Sequence, residues 1–315
     1  MQDSQVQGDS QGVLFSLSQI IAEGIADACN QAMHEVYSKG HSYPRMVGPW
    51  AMKKYQQEVM WELDPIIITI KDPLVGRRHS RINAGIMTET LDTLLGLNPG
   101  FTHYPWEFYN EWRTENLEKY PYTYGERIHR DPYTGIDQWV ECIKKLRYDA
   151  STRHAVIPIW RPQDQLNDFV PCNHTLHFQL TEHGLDLIVS VRSQDALRGL
   201  VLDTFTFSHV LEQMSLETEL PAGKLIHIES NLHIYGSDSS PEDFSLEKWK
   251  CIPPPISEQK GSHAGLLTPT LKRKLYDALR AIYIEKSLPK VSIKDPYWKD
   301  YILFLMRNKN QEEDV

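Results

Sequence analysis

Cysteine is scarce in this 315-residue chain: Cys29, Cys142, Cys172 and Cys251 are the only four, widely separated and without a C-x-x-C pair. They are too few for a disulfide framework and wrongly spaced for a zinc cage. Basic charge is also in deficit, with 33 Lys and Arg against 42 Asp and Glu and a formal net charge of -9. That balance argues against neutralising a nucleic-acid backbone as the protein's main work. No apolar run approaches the ~20 residues that span a bilayer. The opening Met-Gln-Asp-Ser-Gln stretch has neither the basic nor the apolar part of a secretion signal, so a cytoplasmic location is expected. Phosphate-loop and Rossmann glycine signatures are missing, and with them the usual support for NTP hydrolysis or dinucleotide redox chemistry.

What is present is an ordinary globular composition, 41% hydrophobic and 24% charged, enough to bury a sizeable core. Apolar residues at helical spacing (Leu17, Ile20, Ile21, Ile25) predict a helix over 16–38. Strand signals follow at 65–70 and 155–160, then in two alternating runs, Leu176/Phe178/Leu180 and Leu185/Leu187/Val189/Val191, joined by a hairpin turn. Helical periodicity marks 136–146 and 203–216, and a further strand runs near 224–230. The expected fold is α/β (α+β), a large mixed or antiparallel sheet flanked by helices. Residues 1–40 form an N-terminal helical extension, 41–250 the catalytic domain and 251–315 a C-terminal extension packed on the core. Strands and helices alternate too irregularly for a doubly wound fold.

Several residues carry chemistry. Cys172, after Pro171, stands at the start of an alternating strand; its plain alternative is a buried small hydrophobe. Arg192 ends the next strand, so it is expected beside Cys172, where its charge would lower the thiol pKa and hold an anion. A structural ion pair is the plain reading of Arg192, and a helix N-cap that of Asp203. The run Gly-Arg-Arg-His-Ser-Arg at 76–81 fits an anion site or a solvated loop equally. Asn173-His174-Thr175 spells a glycosylation sequon, a chance triplet in a cytosolic chain.

Taken in order, these pieces resemble thymidylate synthase and its pyrimidine hydroxymethylase relatives. The matching stretches are Thr-Glu-Thr-Leu (88–91), Tyr-Gly (124–125), Ser-Thr-Arg-His (151–154), Pro-Cys (171–172), Arg-Ser-Gln-Asp with Gly-Leu-Val-Leu-Asp (192–203), and Leu-His-Ile-Tyr (232–235). The resemblance implies a thymidylate synthase-like fold that dimerises through the sheet, with 5,10-methylenetetrahydrofolate as cosubstrate, a pyrimidine nucleoside monophosphate as substrate, and no metal. Cys172 would be the thiolate that adds at C6, and Glu89 the carboxylate that relays protons, with Tyr124 and Asn173 beside them. Arg192, Arg45, Ser193 and, from a partner subunit, Arg153 would surround the phosphate, with His154 where the family has a second arginine. His233 and Tyr235 would hold the sugar; Asp195, Gly199 and Tyr109 would line the folate site.

Departures from the family pattern refine the expectation. Asp203 stands where uracil-using members carry asparagine. A protonated aspartic acid offers a donor to N3 and an acceptor to the 4-amino group, so Asp203 implies cytosine and a carboxyl pKa raised by burial. Asn173 replaces a histidine associated with uracil O4. Tyr109 replaces a tryptophan that screens the exocyclic methylene from water, and Trp-Arg-Pro at 160–162 is closer to hydroxymethylases. The implied activity is cytidylate 5-hydroxymethylation of dCMP or CMP, with methylation of dCMP or thymidylate synthesis as the alternative. A nucleotide- or RNA-binding protein without catalysis is a third reading, opposed by the retention of Cys172, Glu89, Arg192 and Asp195 together.

Overall fold

The computed structural model describes residues 18–44, 59–75, 77, 84–96, 122–167, 170–235, 264–283, 285, 287–290 and 292–308. The strands are β1 (Ser18–Ala22), β2 (His41–Pro44), β3 (Val59–Leu63), β4 (Ile66–Ile70), β5 (Val156–Pro158), β6 (Asn173–Thr181), β7 (Gly184–Val191), β8 (Gln194–Asp195), β9 (Ala222–Glu229) and β10 (Leu232–Tyr235). The helices are α1 (Ile25–Lys39), α2 (Ala84–Leu95), α3 (Tyr124–His129), α4 (Gln138–Tyr148), α5 (Gly199–Thr218), α6 (Pro269–Tyr283) and α7 (Pro296–Asn308). Among the described residues, no helix is long and apolar enough to cross a membrane.

A six-stranded sheet runs β1-β4-β9-β7-β6-β5, and a four-stranded sheet runs β2-β3-β10-β8. The larger sheet is mixed: β1 with β4 and β7 with β9 are parallel, the remaining neighbours antiparallel. Among the described strands the chain passes from the larger sheet to the smaller one at β1 to β2, β7 to β8 and β9 to β10, and returns at β3 to β4 and β8 to β9. The last two outward passages bring Asp195 and His233 side by side in the parallel β8–β10 pair, just after Arg192 at the end of β7.

Period-two patterning sorts the large sheet into two faces. Ile66, Ile68, Leu225, Leu187, Val189, Leu176 and Phe178 are buried on the inner one. Across the outer face, Ile188 pairs with Ile226 and with His177, and Ile67 with Ile228. This outer row is only half covered, with Ile21 and Ile228 exposed.

The helix expected over 16–38 is corrected at its first turn. Residues 18–22 form a strand that pairs with β4 from Ser18↔Ile66 to Ala22↔Ile70. Ile20 and Ala22 face inward while Ile21 is 52% exposed, an alternation that four apolar residues could not distinguish from helical spacing. Gly24 then lets the chain turn: a Cβ there would sit 2.8 Å from the Val75 carbonyl, and α1 follows.

Helix α5 lies against the inner face and is buried along nearly its whole length. It begins at Gly199, four residues before the expected start, so Asp203 is inside the helix and is not an N-cap. Arg77, from the basic run at 76–81, is buried against this helix, 2.6 Å from Glu212 Oε2 and 2.9 Å from Ser208 Oγ. It is a structural tie and neither an anion site nor a solvated loop; residues 78–81 lie outside the described set.

The C-terminal segments pack on α2 and α5. Tyr301 donates to the Met87 carbonyl (2.8 Å), Thr88 Oγ1 lies 2.9 Å from the Tyr283 hydroxyl, and Ala264 N–H donates to Glu212 Oε1 (3.1 Å). They buttress the helix that carries Glu89.

Candidate active site

Cys172 immediately precedes β6 and is half-buried. Arg192 Nε donates to the Pro171 carbonyl (2.9 Å) and Nη2 to that of Val170 (3.2 Å), while its backbone N–H bonds the Cys172 carbonyl (2.9 Å). Held by the loop it serves, the guanidinium stands 3.8 Å from Cys172 Sγ. The expected lowering of the thiol pKa does not result. Burial pushes Cys172 up to about 11, Arg192 opposes this, and Asp203, Glu229 and Asp195 add to the rise.

Asp203 projects from the start of α5 into the same region and is 6% exposed. Its Oδ2 accepts from Asn173 Nδ2 (3.2 Å) and from Gln194 Nε2 (3.1 Å). Burial raises the carboxyl to about 6; His227 and the two amides pull it down, and Glu229 pushes it further up. Asn173 is fully buried, which removes any use of its sequon, and its Oδ1 has no protein partner among the described residues.

Beneath Asp203, His227 and Glu229 occupy successive inner positions of β9, with Nδ1 and Oε1 3.2 Å apart and both side chains fully buried. Burial lowers His227 to about 4 and raises Glu229 well above its ordinary value.

Tyr122, before α3, and Tyr124, at its first position, lie within electrostatic reach of Cys172. Burial raises both phenols, and the charges of Cys172 and Glu89 act on each. Their rings are 6.1 Å apart, and Arg127 lies 4.7 Å over Tyr122. Glu89, half-buried on α2, comes close because α3 packs tightly on that helix. A Cβ on Gly125 would meet the Asp92 carbonyl at 2.3 Å, which explains the glycine in the Tyr-Gly pair.

Asp195 Oδ1 accepts the backbone N–H groups of Leu197 (2.7 Å) and Arg198 (3.2 Å), fixing the turn into α5. This carboxylate is an acceptor of the kind a pterin's N–H groups require. Gly199 packs over it: a Cβ there would be 3.6 Å from Asp195 Cβ and from the Gln194 amide, an ordinary contact. His233 is buried, its Nδ1 2.8 Å from Asn231 Oδ1 and its ring edge-on to Tyr235 at 4.9 Å. Ser193 is half-buried between Arg192 and Gln194.

Two expected residues are not brought to Cys172 within one protomer. Arg153 and His154 are exposed in the loop before β5. The register Val156↔His177, with Phe178 N–H on the Ala155 carbonyl, directs that loop toward the Leu180 end of β6. At ~3.3 Å per residue this is about 20 Å from the Cys172 end. Arg45 and Tyr109 lie outside the described residues. Arg161, of the Trp-Arg-Pro motif, is committed to Asp131 (Nε–Oδ2 2.6 Å) and carries structure.

Gln194, Tyr122, His227 and Glu229 escaped the sequence reading. For the last two a signal existed: in Leu225-Ile-His-Ile-Glu, period two places both polar residues on Leu225's buried face.

Comparison with known proteins places the chain in a family. The family profile described as thymidylate synthase matches residues 32–303, well beyond the 89–235 stretch that carries the motifs. A deoxyuridylate hydroxymethyltransferase of Bacillus phage SP01 is 33% identical over 128 residues, 36% of this chain and 33% of that protein. The thymidylate synthase of Francisella philomiragia is 25% identical over 143 residues (41% and 52%), and that of Mycoplasma genitalium 23% over 125 (39% and 44%). The chain thus spans about half or less of the length of these relatives.

Proposed function

The chain belongs to the thymidylate synthase family, and on that basis we propose that it is a folate-dependent cytidylate 5-hydroxymethylase acting on dCMP or CMP. The observation that carries this reading is Asp203, a buried carboxyl pushed up to about 6 and close enough to Cys172 for its charge to act on the thiol. A carboxyl that readily takes a proton there suits cytosine, whose N3 accepts and whose 4-amino group donates.

Cys172 adds through sulfur to C6 of the base and converts C5 into an enamine carbon able to attack a one-carbon electrophile. 5,10-Methylenetetrahydrofolate supplies that carbon. Because burial keeps the thiol protonated in the free protein, its proton must leave as the nucleotide binds. Glu89 is the carboxylate we assign to that relay, with the Tyr122 and Tyr124 phenols close by. Arg192 binds the phosphate while remaining beside sulfur, and Asp195, held by two backbone amides, receives the pterin N–H groups. His233 and Tyr235 orient the sugar. Loss of the C5 proton and breaking of the carbon–nitrogen bond to the carrier, which leaves as tetrahydrofolate, would give a C5 methylene; water adds to it, giving up a proton, and loss of the thiolate from C6 yields the hydroxymethyl nucleotide.

A second copy of the chain is part of this reading. The half-covered outer row of Ile67, Ile188, Ile226 and Ile228 suits a dimer formed sheet to sheet. The separation of Arg153 from its own Cys172 suits donation of that arginine across the interface.

The test is incubation with methylenetetrahydrofolate and, separately, dCMP, CMP and dUMP, with products identified by mass and dihydrofolate followed by absorbance. Hydroxymethylated cytidylate without dihydrofolate is expected. Dihydrofolate release would favour the methylating alternative, which is the activity named for the Francisella and Mycoplasma relatives; turnover of dUMP alone would overturn the cytosine reading. In Cys172→Ala, turnover should vanish.

A further inference from the structure

Asp203 alone does not account for the base edge, because one of its two oxygens is already occupied. Asn173 Nδ2 and Gln194 Nε2 approach Oδ2 from β6 and β8 at 3.2 and 3.1 Å. Two donors use both lone pairs of that oxygen, so it is left with no place for a proton or for a substrate N–H. Among the described residues, Asn173 Oδ1, His227 Nε2 and Glu229 Oε2 are buried near Asp203 without a hydrogen-bond partner, and of these Asn173 Oδ1 belongs to the side chain already bonded to the Asp203 carboxyl.

We infer that Asn173, Gln194 and Asp203 act as one reading unit: the amides pin Asp203 Oδ2 so that its proton sits on Oδ1 and donates to cytosine N3, while Asn173 Oδ1 accepts from the 4-amino group. The inference rests on the cytidylate reading and assigns a base contact to Asn173 and a positioning role to Gln194. The remaining ionisable neighbours of Asp203 are His227 and Glu229 on β9, Tyr124 on α3 and Cys172 before β6. None of these makes a hydrogen bond to the carboxyl, which leaves the two amides as the groups that orient it.

Discrimination against uracil follows from the same geometry. Uracil O4 would meet Asn173 Oδ1, lone pair against lone pair. Turning the Asn173 amide to offer Nδ2 to O4 would break its bond to Asp203 and set two oxygens together. Gln194, anchored under the first turn of α5 where its amide lies 3.6 Å from the Cβ position of Gly199, prevents the carboxyl from rotating to escape.

The experiment measures dCMP and dUMP binding by calorimetry without folate, and kcat/KM for both with methylenetetrahydrofolate, in the native protein, Asn173→Leu and Gln194→Leu. Loss of one oriented hydrogen bond is expected to cut the dCMP-to-dUMP ratio about tenfold in each variant. Gln194→Met and Asn173→Ser serve if either leucine variant fails to fold. Equal weakening toward both nucleotides, or an unchanged ratio, would overturn the reading unit, since a merely structural amide lowers both alike. A native protein that prefers dCMP while the variants keep its ratio would overturn the unit alone. A native preference for dUMP would overturn the cytidylate reading as well.

Discussion

Arg192 Nη2 lies 3.8 Å from Cys172 Sγ, yet the thiol is pushed up to about 11. One cation at that distance does not offset burial together with the negative charge of Asp203, Glu229 and Asp195. In the free protein the thiol is therefore protonated near neutral pH, and the proposed nucleophilic role requires that a bound nucleotide rearrange these charges.

Alkylation of Cys172 by iodoacetamide, followed by peptide mass spectrometry, should accelerate with pH up to about 11. In Arg192→Met the rise should move to still higher pH, because the one lowering influence is gone. A midpoint at or below the ordinary cysteine value of about 8.5 would contradict the burial argument.

Cytosine reading needs Asp203 protonated, and its pKa in the free protein is about 6. On the acid side of that value the carboxyl already carries the proton. Above it, binding must take one up. The apparent affinity for dCMP should therefore weaken about tenfold per pH unit above 6, and in Asp203→Asn it should be flat there. The same variant should gain affinity for dUMP; unchanged cytosine preference would show that another residue reads the base.

His227 and Glu229 impose opposite pH dependences on stability. His227 titrates at about 4 in the fold, below its unfolded value, so its contribution is present above about 6.5 and is lost as pH falls toward 4. Glu229 is raised, so its contribution is present at low pH and is lost as pH climbs above about 4.5. Between about pH 4.5 and 6.5 the two dependences oppose each other. Urea unfolding across this window should show stability falling more steeply toward acid in Glu229→Gln than in the native protein. In His227→Gln the slope should change in the opposite sense.

The outer sheet face yields a further prediction. Ile188→Asp, paired with Ile226 at its centre, should give a monomer by sedimentation and abolish turnover. Mixing inactive Arg153→Ala and Cys172→Ala chains should restore part of the activity, because one hybrid site then combines an intact Cys172 with an intact Arg153. No recovery after verified subunit exchange would place Arg153 outside the site.

Much of the architecture was legible in the chain. Alternation at 176–191 and 224–230 identified three strands of the large sheet, and α4 and α5 were recognised from helical periodicity. Strand β1 was missed because Ile20, Ile21 and Ile25 satisfy a helical spacing, while the pairing with β4 that makes 18–22 a strand is non-local. The four-residue error at the start of α5 has a similar origin: Asp195 caps the turn through side-chain bonds to Leu197 and Arg198 that no periodicity records.

For the candidate site, residue chemistry and order were written in the chain: a cysteine after proline, an arginine twenty residues on, an aspartate where an amide is the family habit, and glycine at 125. Only the tertiary structure decided what those groups experience. Asn173, Gln194 and Asp203 are up to 30 residues apart, and they meet because the passage from β7 to β8, from one sheet to the other, brings β6, β8 and the first turns of α5 to one point. Whether Arg192 lowers the Cys172 pKa is likewise a balance between charge distance and burial. Sequence names the charges, but packing sets the distances and the dielectric through which they act.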